Sequence, residues 1–291
     1  MEAPRRLRFE DAEYPDRLRS LRAPPVAIWI AGEIIPATTI AIVGTRRPDP
    51  EAEAFAAQLA GAVVRAGGVV VSGGALGIDA AAHRGAIARG GRTWCVAPNG
   101  HLFVSPRSHE ALFEEAVAKG GAMIWPFGPR RPSHIPNYFH RNSVLAALAD
   151  AVVIVQAGCP SGALNAARWA RELGRPLWVV PGPPWMERFA GCRSEIDRGA
   201  RILTSIPRLL AAVGLGAGST EPLPFPPVPA GASPEQRAVL EVLSNAAIHM
   251  DEVVARSSLP MTTVAPLLLT LALENVVVEG PEGFFRRASG G

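Results

Sequence analysis

A doubly wound α/β protein, with a Rossmann-like parallel sheet and a C-terminal winged-helix-like domain, is the fold class that three features of the sequence predict. From Ile40 to about Thr204, short apolar runs alternate with helical stretches, the pattern of a parallel sheet covered on both faces. Most of these runs end in Gly, Pro or a small polar residue, where an open α/β sheet presents its binding loops. After Leu210 the periodicity stops in AAVGLGAGSTEPLPFPPVPAGAS, and a second, shorter helical pattern follows.

In chain order, residues 1–39 come first as an extension packed on the core. Their segment YPDRLRSLRAPPVAIWIAGE reads as a short helix, a Pro-Pro stop and one strand. The core, residues 40–213, has six apolar runs: IAIVG (40–44), VVVSGG (69–74), TWCVAP (93–98), AMIW (122–125), AVVIVQ (151–156) and LWVVPG (177–182). The stretches between them have the length of crossover helices, so six strands and five connections are expected. Residues 214–232 form a Pro/Gly-rich linker. Residues 233–291 read as three helices and a strand pair about a turn at Glu279 to Gly283, the order of a winged helix.

Charge and composition narrow the function. Of 29 Lys and Arg residues only Lys119 is a lysine, so nearly every cation is a planar guanidinium able to grip phosphate in two places. Cys95, Cys159 and Cys192 lack any CxxC or paired Cys/His spacing and read as ordinary thiols, with no metal or cofactor implied. No apolar run is long enough for a membrane span, and the arginine-rich N-terminus is unlike a secretory signal, so a cytoplasmic location is expected.

Five loops at the strand ends could carry chemistry. In AIVGTRRP, Gly44 permits a tight turn and Arg46 stands at the strand's edge, without the GxGxxG of a dinucleotide site. In SGGALGIDAAAHRGA, Ser72, Gly73 and the following glycines would let a polyanion approach bare backbone before a helix; Asp79 reads as a helix-stabilising carboxylate and His83 as a packing or capping group. The third loop, APNGHLFVSPRSHE, holds Gly100. The fourth, PFGPRRPSHIPNYFHRNSVLAALAD, crowds Arg130, Arg131 and Arg141 around Phe127, Tyr138 and Phe139, with Asn142 next in line. Cations interleaved with rings suit a single strand, whose phosphates need charge and whose bases need flat faces. In the fifth, QAGCPSGALNAARWA, Ser161 fits a helix N-cap, leaving the amides of Gly162 and Ala163 for an anion. It lacks the GxSxG elbow of a nucleophile, so no catalytic residue is assigned.

Together GTRRP (44–48), SGGALGIDAAAHRGA (72–86), HRN (140–142), SGALNAA (161–167), PG (181–182) and GCRSEIDRGA (191–200) resemble the DNA-processing protein A (DprA) family in order and spacing. The likeness runs from about residue 9 to residue 205 and extends weakly into the C-terminal domain. It implies a non-enzymatic homodimer that binds single-stranded DNA and loads a RecA-type recombinase onto it during natural transformation. By position, the pocket arginine of the family's G-S/T-R motif falls on Arg46, its fourth-loop Arg-Asn on Arg141 and Asn142, and its small-residue helix start on Ser161 and Gly162. Ser143 stands where the family has a third-position arginine, Ser105 where it has a tyrosine, and Arg193 where asparagine is common.

Two alternatives share this architecture. A phosphoribohydrolase-like enzyme would carry PGGxGTxxE in the loop that here reads AGCPSGALNAA, with no glutamate after it. A sensor of small nucleotides in the same cleft is the other. The C-terminal domain is expected to contact a partner or regulate rather than read DNA. Residues 233–287 hold seven acids and four arginines, a net of −3, while the rest of the chain carries +6, and the third helix there has no cation. Arg46 and Arg141 are expected to act on one ligand from opposite sides. Neither lies in an apolar run, so the fold is expected to survive loss of either.

Overall fold

The structure, a computed structural model, describes residues 3–215, 232–244, 247–274, 276–280 and 283–287. The chain divides into two compact units, Met1–Ser219 and Thr220–Gly291.

The first unit is a nine-stranded sheet between helical layers. Its strands are β1 (Arg5–Arg8), β2 (Ala27–Gly32), β3 (Thr39–Val43), β4 (Val69–Ser72), β5 (Thr93–Val96), β6 (Ala122–Trp125), β7 (Ala151–Ile154), β8 (Leu177–Val179) and β9 (Arg201–Ile202). The helices are α1 (Asp16–Arg19), α2 (Pro50–Arg65), α3 (Ile78–Ile87), α4 (Glu110–Ala118), α5 (Ile135–Leu148), α6 (Ala163–Glu172), α7 (Ala190–Asp197) and α8 (Ile206–Ala212). The strand order is β1-β2-β6-β5-β4-β3-β7-β8-β9. β3 to β9 run parallel, and β1 and β2 are antiparallel additions at one edge. Every residue of β3 to β8 is buried, which is why these strands read as unbroken apolar runs rather than alternating ones.

The sheet has a core on each face. α1, α5 and α6 cover one face through residues such as Leu18, Val144, Leu145 and Ala166. α2, α3 and α8 cover the other through Leu59, Val63, Ile78 and Leu209. From β3 the chain builds outward to β6, then returns to the middle and builds the other way from β7, which pairs with β3 from Ile40↔Ala151 to Val43↔Ile154. The order therefore reverses between β3 and β7, and at that point the loops leaving the two strands diverge and open a crevice.

Two strands of this unit exceed the sequence expectation. β1 buries only Leu7 of RRLR, and β9 is two exposed residues long, so neither offers an apolar run to read. β2 pairs antiparallel with β6, Trp29 opposite Trp125, so the N-terminal segment is part of the sheet as well as packed on it. Arg17 fastens it further, donating to the Leu148 carbonyl at 2.8 Å and pairing with Asp150 at 2.9 Å.

The second unit holds α9 (Pro234–Val242), β10 (Ile248–His249), α10 (Met250–Ser257), α11 (Met261–Leu273), β11 (Val277–Glu279) and β12 (Phe284–Arg287). Ser233 and Gln236 form a reciprocal cap at the start of α9. Val239, Leu240, Val253, Val264, Leu268 and Phe285 make its core. The unexpected third strand, β10, pairs with β12, giving the sheet order β10-β12-β11. Most of the linker expected at 214–232, and residues 281 and 282 of the expected turn, lie outside the described residues. No single helix among those described is long and apolar enough to cross a membrane.

Candidate functional site

At the reversal point lies a cleft of ≈ 250 Å³, lined by Val43, Gly44, Thr45, Arg46, Ala75, Asp79, Tyr138, Arg141, Asn142, Ser161, Gly162, Ala163 and Ala166. Its walls come from the loop after β3, the β4–α3 turn, one face of α5 and the start of α6. Gly44 is required by close packing: a Cβ there would stand 2.6 Å from Ile78 Cγ1 and 2.9 Å from the Gln156 carbonyl oxygen. Thr45 N–H donates to that same carbonyl at 2.7 Å, so the loops after β3 and β7 are tied together beside the cleft.

Two arginines face it in different states. Arg46 is exposed, and its guanidinium lies 5.0 Å from the centroid of the Tyr138 ring, a cation–π contact that aims the charge across the mouth. Arg141 is buried, 5% exposed. Its Nη1 donates to the Val96 carbonyl at 3.2 Å and lies 3.9 Å from Asp79 Oδ2. Nη2 has no hydrogen-bond partner among the described residues, and Nε is buried without one. Arg141 lies outside any apolar run, as the sequence indicates, yet its side chain is buried. α5 turns the side chain inward under the β4–α3 turn, and Gly73 leaves it room, since a Cβ at Gly73 would fall 1.2 Å from Nη1.

Asp79 is more than the helix-stabilising carboxylate read from the sequence. It accepts from the amides of Gly73 at 3.2 Å and Ala75 at 3.3 Å and faces Arg141, so it folds the glycine turn and positions the buried cation. Burial pushes its carboxyl up from the ordinary carboxylate value, while Arg141 and the two amides pull the other way. Burial likewise lowers Arg141, with Asp79 opposing, and a guanidinium starts so high that it keeps its proton. One poorly aligned carboxylate and one carbonyl leave this cation under-compensated, a standing attraction for an anion entering the cleft.

Beneath them His83 packs, as expected, with Nδ1 2.7 Å from Thr93 Oγ1. Burial, then His109 and Arg141, lower its pKa to about 3. On the far wall Asn142 Nδ2 donates to the Gly162 carbonyl at 3.3 Å and to Asn165 Oδ1 at 3.2 Å, locking α5 to the start of α6. Ser161 Oγ accepts from Ala163 N–H at 3.3 Å, so of the two amides expected for an anion only that of Gly162 is without a partner among the described residues. Nothing stands within 4 Å of a Cβ placed on Gly162, leaving its backbone open to a ligand.

Of the ten residues singled out in the sequence, Gly44, Arg46, Arg141, Asn142, Ser161 and Gly162 line this one cleft. Ser72, Gly73, Gly100 and Arg131 do not. Ser72 is wholly buried, its hydroxyl donating to the Ile42 carbonyl at 2.6 Å, and Gly73 shapes the seat of Arg141. Gly100 N–H donates to the Arg131 carbonyl at 2.8 Å, and Arg131 Nη2 lies 3.1 Å from His134 Nε2, a pairing of two loops beside the cleft rather than within it. Arg193, which stands where asparagine is common in the family, spends its guanidinium on the carbonyls of Pro183 and Met186, at 2.9 and 2.8 Å. Tyr138, one of three rings in its segment, stands at i−3 from Arg141, the helical spacing that puts both on one face and marks it as part of the site.

Fold and cleft define a Rossmann-like protein with an anion-seeking crevice at its strand-order reversal, joined to a small helical domain with a three-stranded sheet. The profile of the DNA recombination-mediator protein A family matches residues 5–214, and that of the DprA winged helix domain matches residues 223–283. The chain belongs to the DNA recombination-mediator protein A (DprA) family. A DprA-type relative from Mycobacterium tuberculosis is 35% identical over 264 residues, covering 87% of this chain and 67% of the relative. Protein Smf of Escherichia coli is 29% identical, covering 94% and 75%. Among solved structures, DNA processing protein A of Streptococcus pneumoniae matches with a TM-score of 0.66 and 27% identity over 72% of this chain and 74% of that one. The Helicobacter pylori protein, described for its single-stranded DNA binding mode, matches with 0.65 and 26% over 72% and 95%.

Proposed function

We propose that this recombination-mediator protein binds single-stranded DNA in the cleft between the β3 and β7 loops, without reacting with it, and passes the strand to a RecA-type recombinase. The observation that carries the reading is the pairing of an exposed Arg46 with a buried, under-compensated Arg141 on one crevice that also offers the open Gly162 backbone. A phosphate entering it would meet two guanidiniums and an amide, and the Tyr138 ring lies ready for a base. Contacts of this kind read a backbone rather than a sequence. The cleft's one carboxylate, Asp79, is committed to Arg141 and two amides and is poorly placed to act as a base. Among the described residues no three His, Cys, Asp or Glu side chains are grouped to hold a metal. These points support a non-catalytic role. Family membership supports a cytoplasmic homodimer acting on incoming DNA. The acidic winged-helix unit fits a partner-binding or regulatory part better than a DNA reader.

The test is a binding assay with single strands, duplexes of equal length and free mononucleotides across a salt series. Single strands are expected to bind tightest, with affinity falling steadily as salt rises. Equal duplex binding, a flat salt response, or a preference for the mononucleotide would each refute it. Removal of residues 233–291 is expected to leave single-strand affinity largely intact.

A further inference from the structure

We propose that Arg47 and Trp185 form a second single-strand subsite just outside the cleft, a phosphate contact beside a base-stacking platform; this rests on the single-strand reading above. Trp185 is 81% exposed, on the loop after β8, and Trp is a costly residue to leave facing water unless something stacks on it. The loop is held firmly. Arg193 donates to the carbonyls of Pro183 and Met186 on either side of the ring, and Arg188 pairs with Asp49. The platform is therefore set before any ligand arrives.

That bracing also fixes where the ring stands. Asp49 belongs to the loop after β3, two residues beyond Arg47, and its carboxylate accepts from Gln156 Nε2 on the loop after β7. Gly191 N–H donates to the Ala157 carbonyl at 2.9 Å, and a Cβ on Gly158 would lie 3.6 Å from the Glu187 carbonyl oxygen. The Trp185 loop thus abuts both loops that flank the strand-order reversal. Arg47 is exposed, and its guanidinium has no partner among the described residues, whereas neighbouring Arg46 leans over Tyr138 into the cleft. Consecutive arginines point the path of a strand: one phosphate at Arg46 inside, the next at Arg47 outside, and a following base on Trp185. An exposed cation on the β3 loop and an exposed ring on the loop braced against it favour a nucleic acid strand over a protein partner.

The full-length protein is titrated with the dinucleotide thymidylyl-thymidine, whose single phosphate can occupy the cleft alone, and with an oligothymidylate of about 20 nucleotides. Trp185→Ala is expected to weaken the long strand roughly tenfold and leave the short one unchanged, with Trp185→Phe retaining most of the affinity. Arg47→Ala should lower the salt slope for the long strand alone, by about 0.7. Long strands should quench tryptophan fluorescence in the parent and not in Trp185→Ala. Both variants alter exposed side chains and should fold normally. Unchanged long-strand affinity in Trp185→Ala overturns the proposal, and if recombinase loading nevertheless fails, the ring is a protein-docking residue instead. Should the parent bind neither length, the cleft reading fails first and this one with it.

Discussion

Replacing Gly73 by alanine puts a methyl group where the Arg141 guanidinium now lies. The added Cβ would stand 1.2 Å from Nη1, 2.2 Å from Cζ and 2.5 Å from Nη2. Gly73 is not among the positive-φ glycines, so its backbone accepts alanine and the arginine must yield. Its escape breaks the bond to the Val96 carbonyl and leaves Asp79 buried without its counter-charge. A lost charged hydrogen bond and an uncompensated carboxylate together should cost about 2–4 kcal/mol. If Arg141 is first changed to alanine, the methyl enters vacated space and should cost less than about 1 kcal/mol. The assay is urea unfolding of the four proteins of this cycle, followed by tryptophan fluorescence. All six tryptophans lie in the first unit, so the signal reports that unit alone. A coupling of about 2 kcal/mol or more is expected. Equal costs of Gly73→Ala in both backgrounds would show that the guanidinium is not seated there.

Arg46→Ala should leave the fold intact, since an exposed cation–π contact is worth about 0.5–1 kcal/mol, yet weaken single-strand binding by about 1–3 kcal/mol, as salt-series titration would show. Gly162→Ala, with nothing within 4 Å of the new methyl and an ordinary helical φ of −63°, should keep parental stability while lowering strand affinity; unchanged affinity would mean the ligand does not approach that backbone. His83 has a folded-state pKa of about 3 against an ordinary 6.5, so between these values the unfolded chain takes up the proton first. The stability it confers is complete above about pH 6.5 and is lost as pH falls toward 3, by up to about 1.4 kcal/mol per pH unit. Comparing urea unfolding of the parent and His83→Gln from pH 7 to 4.5 cancels the opposite contribution of Asp79, and parallel slopes would contradict the assignment.

The glycine turns and buried strands were readable because their constraints are local. An all-buried parallel strand must be apolar along its whole length, as IAIVG and AVVIVQ are, and a backbone that turns hard beside a neighbouring helix excludes a side chain, as at Gly44. β1 and β9 were not readable, because their pairing partners, and not their own residues, make them strands. The second sheet's third strand has only two residues, both half-buried, and escaped for the same reason.

Among the site residues the division follows the same line. Sequence alone determined the doubly wound core, the family, and six residues that converge on one cleft, because those rest on residue type and spacing. Only the tertiary structure decided that Arg141 lies beneath the β4–α3 turn with Asp79, that Ser72 is spent on the Ile42 carbonyl, and that Arg46 leans on Tyr138. An arginine's long side chain can reach solvent or core from the same position on a helix. What settles its direction is the space left by a glycine 68 residues earlier and the carboxylate waiting beside it, and these meet only when the chain has folded.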